Sequence, residues 1–343
     1  MAVMHDRIVI TTGARLHFGF FAHRPPATVT ATASSIAGAL EQANYGGIGL
    51  MIDSPSFVVA ASKSDCDRSE WLLPETSGEG RVDRIVAHYR RTCPPQRLPV
   101  PCAIEVRQAI PSHSGLGSGT QLAMAVAQAL ALLARDRQVD AVTLAHWAGR
   151  GKRSAIGIHG FACGGFLVDG GKRSEDEIGR LVARAEFPDG WRWLLVAPAD
   201  KSGTGLSGQD EIQALEQLPR IPLSLTERLC HLVLLEMLPA IAACDCDWFG
   251  EALYEFGRSV GDYFRPVQGG RYADSRMATL VEWLRGEGVR GVAQTSWGPT
   301  IAACCQDALR ANALKDRILA DDRWQGCQAQ IVRPLNTGAA IQL

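Results

Sequence analysis

Lysine is scarce in this chain: Lys63, Lys152, Lys172, Lys201 and Lys315 are the whole set, and arginine carries most of the positive charge. A surplus of either sign is also missing. Lys and Arg number 35 against 36 Asp and Glu, a formal net charge of −1. A dedicated nucleic-acid binder would show a basic stripe, so no nucleic-acid partner is expected. No long apolar run is present. The longest, around Ala123 to Ala134, is far short of the ~20 residues a membrane helix needs. The N-terminal MAVMHDRIVITTG has no apolar centre of useful length for a signal peptide. No membrane partner is expected. The ten cysteines contain no C-x-x-C pair. Cys244/Cys246 and Cys304/Cys305 lie too close in sequence to bridge each other in ordinary strands or helices. Buried free thiols in a reducing cytoplasm are therefore expected. Internal repeats and low-complexity tracts are absent.

What is there suffices for a core. The 343 residues are 46% hydrophobic and 21% charged, which excludes a mainly disordered chain. The length suits about two domains of roughly 150 residues each. Arg7 to Thr12 (RIVITT) is β-branched and predicts a strand, and ARLHFG (Ala14 to Gly19) is strand-like, with Arg15, His17 and Gly19 on one face. Pro74 to Gly80 is polar and Gly-rich, and reads as a loop. Ala103 to Gln108 alternates and predicts a half-buried strand. Gln121 to Ala134 is apolar on nearly every side, the pattern of a buried helix. Leu194 to Ala197 begins a new core strand after the charged stretch Lys172 to Arg184, so domains of residues 1–185 and 186–343 are expected. In the last third, Met277, Leu280, Val281 and Leu284 keep helical spacing. Gly291 to Thr295 and Ile301 to Cys305 predict strands around a loop. Ala308, Ala311, Leu314 and Ile318 predict a helix, Cys327 to Val332 a last strand, and Asn336 to Gly338 a turn. Helix, strand, strand, helix, strand after Leu194–Ala197 is the order of a ferredoxin-like layer.

The most informative stretch is Pro111-Ser112-His113-Ser114-Gly115-Leu116-Gly117-Ser118-Gly119-Thr120, between a strand and a helix. Three glycines in five positions let the backbone turn and approach a ligand. Hydroxyls and the N–H groups of the following helix complete a phosphate site. A plain helix cap needs less than this. The G-K-[ST] ending of a Walker loop is missing, and G-x-G-x-G is not the dinucleotide fingerprint.

This strand, loop and buried helix resemble the phosphate loop of the GHMP kinase superfamily. RGKRSAIGIHGFACGG (Arg150 to Gly165) and QTSWGPT (Gln294 to Thr300) resemble that superfamily's second and third conserved stretches. In the mevalonate-kinase branch the second stretch runs G-x-x-S-G-x-D and ends on the catalytic carboxylate. Gly151 and Ser154 fit it, but Gly157 stands at the Asp position, and glycine cannot orient or deprotonate a hydroxyl. ARLHFGF (Ala14 to Phe20), YGGIGLMID (Tyr45 to Asp53), PSHSGLGSGTQLA (Pro111 to Ala123), the run Arg153 to Gly171, EMLPAI (Glu236 to Ile241) and QTSWGPT are together similar to the β-ribofuranosylaminobenzene 5′-phosphate synthase family.

The resemblance implies an α+β GHMP-kinase-like fold: an N-terminal βαβ domain with the phosphate loop and a C-terminal ferredoxin-like domain. It implies transfer of phosphoribose from phosphoribosyl pyrophosphate to 4-aminobenzoate or 4-hydroxybenzoate, with loss of CO2 and pyrophosphate, early in methanopterin biosynthesis. Mg²⁺ is expected with the phosphorylated donor, and no organic cofactor. A homodimer is possible. Ser112, Ser114, Gly115, Gly117, Ser118, Gly119, Thr120, Lys152 and Arg153 are the expected pyrophosphate ligands. Arg15, His17 and His113 are the catalytic candidates, with His159 a further histidine able to act as a base near neutrality. Arg15 offers a fork for the benzoate carboxylate or the 5′-phosphate. Ser296 and Trp297 are expected at the acceptor, the indole by stacking. Glu211 is a candidate helix cap or Mg²⁺ ligand. An ATP-dependent small-molecule kinase is the alternative, if a carboxylate such as Asp53 replaces the missing Asp. A protein that only binds its ligand is the third reading.

Overall fold

The computed structural model describes residues 7–23, 44–73, 80–199 and 209–343. Residues 74–79 of the expected polar loop, and 200–208, lie outside the described residues. The chain begins with an antiparallel pair, β1 (Arg7–Phe20) and β2 (Gly47–Lys63). The strand predicted over Arg7 to Thr12 and the strand-like ARLHFG after it thus form one element that runs on to Phe20. It does so across irregularities at Gly13/Ala14 and His17/Gly19, where the local twist re-aims side chains. Gly13 has no room for a side chain, because the Ile52 carbonyl lies against it.

β3 (Arg68–Trp71), α1 (Arg81–Thr92) and β4 (Cys102–Gln108) follow. In β4, Ile104 and Val106 are buried and Glu105 and Arg107 are not, as the alternation predicts. Next come α2 (Ser118–Leu133), α3 (Ala141–Trp147), α4 (Ile156–Cys163), β5 (Phe166–Asp169) and β6 (Leu181–Ala185). α2 is buried on nearly every side and packs on β1 and β2. Its one fully buried polar side chain, Gln121, accepts from Thr12 Oγ1 at 2.7 Å and donates to the Gly157 carbonyl at 2.8 Å. An unpaired amide there would cost stability, so these bonds fix α2 against both β1 and α4.

β7 (Arg192–Pro198) opens the second sheet. α5 (Gln209–Glu216), α6 (Leu223–His231), α7 (Leu238–Ala243), α8 (Cys246–Gln268) and α9 (Ser275–Gly286) intervene before β8 (Gly291–Gln294) and β9 (Ile301–Cys305). α10 (Ala308–Ala320) and β10 (Cys327–Val332) complete the layer. The sheet order is β10-β7-β9-β8 with every pair antiparallel. Counted from β7 that is 4-1-3-2, the ferredoxin-like arrangement. The 23-residue α8 is the longest of the helices that the sequence reading does not name. It crosses β8 backbone to backbone: a Cβ on Gly291 would stand 2.9 Å from Gly250 Cα.

A short tail then returns to the first sheet, where β11 (Ala340–Gln342) pairs with β1. That seven-stranded sheet runs β11-β1-β2-β4-β3, with β5 and β6 attached through β2. The expected division at residues 185 and 186 falls in the connection from β6 to β7. All ten cysteines are free, but Cys66, Cys230 and Cys244 are exposed rather than buried. Among the described residues no helix is long and apolar enough to cross a membrane.

Candidate active site

The glycine loop joins β4 to α2. His113, Gly115 and Gly117 have φ of 60°, 76° and 78°. These left-handed residues curl the chain so that Gly117 becomes the N-cap of α2, with no side-chain cap on its first turn. A helix start of this kind offers free N–H groups and the positive end of a dipole to an anion.

The third stretch folds onto this loop. Thr300 Oγ1 donates to the Ser114 carbonyl at 2.8 Å, and Thr295 Oγ1 to the Gly115 carbonyl at 3.0 Å. A Cβ on Gly115 would lie 2.6 Å from the Thr295 carbonyl oxygen, so only glycine permits the approach. From below, the Arg15 N–H of β1 donates to the Leu116 carbonyl at 3.0 Å. The loop is therefore held from both sheets.

Arg15 lies under Gly117: its Cγ is 2.5 Å from where a Gly117 Cβ would stand, and Nη1 reaches the Gly115 carbonyl at 3.4 Å. Burial lowers its pKa to about 10, with Glu211 opposing and Arg153 adding to the shift. Arg153 forms an ion pair with Glu211 of α5, so Glu211 balances a site cation. Lys152 is exposed beside it. Ser112 accepts from Arg81 Nη1 at 2.8 Å, and Ser114 Oγ donates to the Pro111 carbonyl at 2.8 Å. Ser118, Gly119 and Thr120 form the first turn of α2 and are partly exposed.

His17 is buried at 3% exposure. Its N–H donates to Thr295 Oγ1 at 3.0 Å, and its carbonyl accepts from the Ser296 N–H at 2.6 Å. Its Nδ1 accepts from the Gly19 N–H at 3.2 Å, and Nε2 has no hydrogen-bond partner among the described residues. Burial, then the Arg15 and Arg153 charges, push its pKa well below the usual histidine range. The ring is therefore neutral, and with Nδ1 accepting, the proton resides on Nε2. His113 is exposed on the loop. His159 instead uses Nε2 on the Gly179 carbonyl at 2.8 Å. Trp297 is buried, its ring 4.5 Å from that of Phe264. Ser296, at φ 54°, is partly buried beside it.

Gly157 faces α2. A Cβ there would meet Thr120 Cγ2 at 3.1 Å and Gln121 Nε2 at 3.3 Å. The position that resembles that of the kinases' Asp thus packs against the Thr120 methyl and the Gln121 amide. Asp53 does not replace it, because its carboxylate binds the Arg333 guanidinium at 3.0 Å and the Arg333 N–H at 2.9 Å. The fully buried Asp169 accepts from the Ala155 and Gly171 N–H groups at 2.6 and 2.8 Å, and burial raises its pKa. Among the described residues no three His, Cys, Asp or Glu converge as metal ligands.

Two further residues stand at the loop: Arg81 has no sequence signal, and Arg150 opens the second conserved stretch without a role assigned to it. Arg81 opens α1, and Arg150 precedes α4, its guanidinium 3.7 Å from where a Gly119 Cβ would stand. Burial lowers the pKa of both, and neighbouring arginines add to it.

Fold and loop together define a protein of the GHMP kinase type. The GHMP kinases N terminal domain matches residues 81–166 and the GHMP kinases C terminal domain residues 237–321. A homoserine kinase from Cytophaga hutchinsonii superposes with a TM-score of 0.68 at 18% identity, covering 100% of this chain and 99% of that one. Mevalonate diphosphate decarboxylase from Staphylococcus aureus gives 0.66 at 15% identity, covering 98% of each. These likenesses concern the fold. The sequence relatives are more specific. Beta-ribofuranosylphenol 5′-phosphate synthase of Methanothermobacter thermautotrophicus is 31% identical over 272 residues, 75% of this chain and 80% of that one. The protein of that name from Methanocaldococcus jannaschii is 29% identical over 318 residues, 86% and 89% of the two chains. The chain belongs to the β-ribofuranosylphenol 5′-phosphate synthase family, a family of pentosyltransferase-type enzymes.

Proposed function

We propose that the protein transfers phosphoribose from phosphoribosyl pyrophosphate to 4-hydroxybenzoate or 4-aminobenzoate, as an early step of methanopterin biosynthesis. The relatives are named for a ribosylphenol product, which favours the hydroxy acid. The observation that carries the reading is a phosphate loop walled by arginines, with Gly157, at the position that resembles that of the kinases' Asp, packed against Thr120 and Gln121.

The donor's C1–O bond to pyrophosphate breaks, and the ring carbon bearing the carboxylate bonds to C1. The bond to the carboxylate then breaks, its electrons restore the aromatic ring, and CO2 leaves. No ring proton is removed, so the bond-forming step needs no strong base where a kinase keeps its Asp. No oxidant or reductant is needed either, so no organic cofactor enters the balance. The α2 N-terminus, the loop N–H groups and Arg15 stabilise charge on the departing pyrophosphate; fixed donors suit that task. Ser118, Gly119 and Thr120 present the first of these donors, and Lys152 and Arg153 add positive charge.

His17, neutral with its proton on Nε2, serves as a hydrogen-bond donor to a substrate oxygen rather than as a base. The exposed His113 is the base for the acceptor's phenol proton. Ser296 and Trp297 border the acceptor. Because Glu211 is the one carboxylate paired with these arginines among the described residues, Mg²⁺ enters as part of the substrate, chelated by pyrophosphate oxygens. In this reading the enzyme is cytoplasmic, in keeping with ten free thiols, and works as a homodimer.

Carboxyl-labelled 4-hydroxybenzoate and 4-aminobenzoate, each with Mg²⁺ and phosphoribosyl pyrophosphate, test the reading. Donor-dependent release of labelled CO2 is expected from one of them. Release from neither by folded protein would overturn it.

A further inference from the structure

A donor with two anionic ends needs two anchoring places, and the glycine loop supplies one. A cavity of about 380 Å³ opens beside it, between α1 and the connection from α3 to α4. Arg81, Arg84, His88, Arg150 and Lys152 line it, and no acid stands among its described lining residues. We propose that this cavity is a phosphate-monoester subsite that holds the donor's 5′-phosphate while the glycine loop holds the pyrophosphate. The inference rests on the donor proposed above.

Three observations carry it. First, Arg150 is half-buried, and its Nε has no hydrogen-bond partner among the described residues. A partly desolvated guanidinium without a carboxylate beside it is matched by an anion. Second, cavity and loop share a wall. Arg81 lines the cavity and also donates to Ser112 of the loop, while the Arg150 guanidinium lies by Gly119. One ribose can thus span from one anion site to the other. Third, the connection is shaped to close the cavity. Gly149 has φ +66°, a left-handed backbone that favours glycine, and it lies against the His88 ring of α1. Like charges gathered with so little opposite charge repel until a ligand neutralises them.

Calorimetric titration of the intact protein with ribose 5-phosphate, pyrophosphate and inorganic phosphate separates the two sites. Arg150→Gln is expected to weaken ribose 5-phosphate binding about tenfold or more, a loss of ~1.4 kcal/mol or more, and pyrophosphate binding less than about threefold. Arg84→Ala, an exposed change without folding risk, is expected to move ribose 5-phosphate in the same direction by a smaller factor. Gly117→Val is expected to show the reverse selectivity. Inorganic phosphate should bind wild type more weakly than ribose 5-phosphate; equal affinity would mean a site for free phosphate and overturn the assignment. Equal loss of both ligands in Arg150→Gln, or no loss in either arginine variant, would also overturn it. Selective loss without any labelled CO2 release by wild type would uphold the subsite and sink the proposed reaction instead.

Discussion

At the scale of single residues, Gly117 and His17 carry the sharpest consequences. Gly117 sits at φ +78° with Arg15 Cγ 2.5 Å from the place of a Cβ. A branched side chain there meets a backbone penalty of about 1–2 kcal/mol and must also displace Arg15. Gly117→Val is therefore expected to abolish donor binding while the circular dichroism spectrum and a cooperative melt persist. Normal donor affinity in that variant would remove the loop from the pyrophosphate site. His17 sets a pH dependence. Histidine in the unfolded chain titrates near pH 6.5, whereas buried His17 titrates well below that. The unfolded chain takes up the proton first, so this contribution is intact above about pH 6.5 and is lost as pH falls toward the folded value. The difference between wild type and His17→Gln in thermal midpoint should therefore shift against wild type between about pH 7.5 and 5. Curves that stay parallel would assign the acid sensitivity to other groups.

At the scale of elements, the loop between β8 and β9 acts as a strut for the glycine loop. Thr295 is its key contact, taking the His17 N–H and giving its hydroxyl to the Gly115 carbonyl. Thr295→Val keeps the shape and strands both backbone groups, at a cost of about 1–3 kcal/mol each. A lower melting temperature and a raised donor KM are expected, with the acceptor KM nearly unchanged; steady-state kinetics in both substrates decides it. The elements differ in how far the chain announced them. β9 and β10 match their predicted ends, Ile301–Cys305 and Cys327–Val332, because alternation and flanking turns coincide there. β1 reads as two pieces, Arg7 to Thr12 and Ala14 to Gly19, because Gly13 and the irregularity after it interrupt the alternation. α8 does carry a helical pattern that the sequence reading does not use: Phe249, Leu253, Phe256, Val260 and Phe264 share one buried face between the caps Asp245 and Gly269. In the site, the glycine loop is legible because its glycines and hydroxyls are contiguous. Arg81 is not: it lies 31 residues from Ser112, and only the packing of α1 joins them.

At the scale of the whole molecule, charge is sorted by place rather than by amount. The net charge of −1 gives no long-range pull on a polyanionic donor. Elsewhere arginines are matched to acids, as in Arg90–Asp67, Arg276–Asp274, Arg285–Glu251 and Arg323–Asp321. Arg15, Arg81 and Arg150 form no ion pair among the described residues, and all three stand around the glycine loop. The attraction is thus local and partly buried, and it acts once the donor is within a Debye length. That length shrinks from about 10 Å at 0.1 M salt to about 3 Å at 1 M. Raising salt from about 0.05 to 0.5 M should increase the donor KM several-fold, through a slower encounter and weaker holding at the loop. The benzoate acceptor carries one charge against the donor's several, so its KM should move little. Equal salt sensitivity of both KM values would mean that the arginines serve both substrates alike, and would remove the ground for assigning them to the donor.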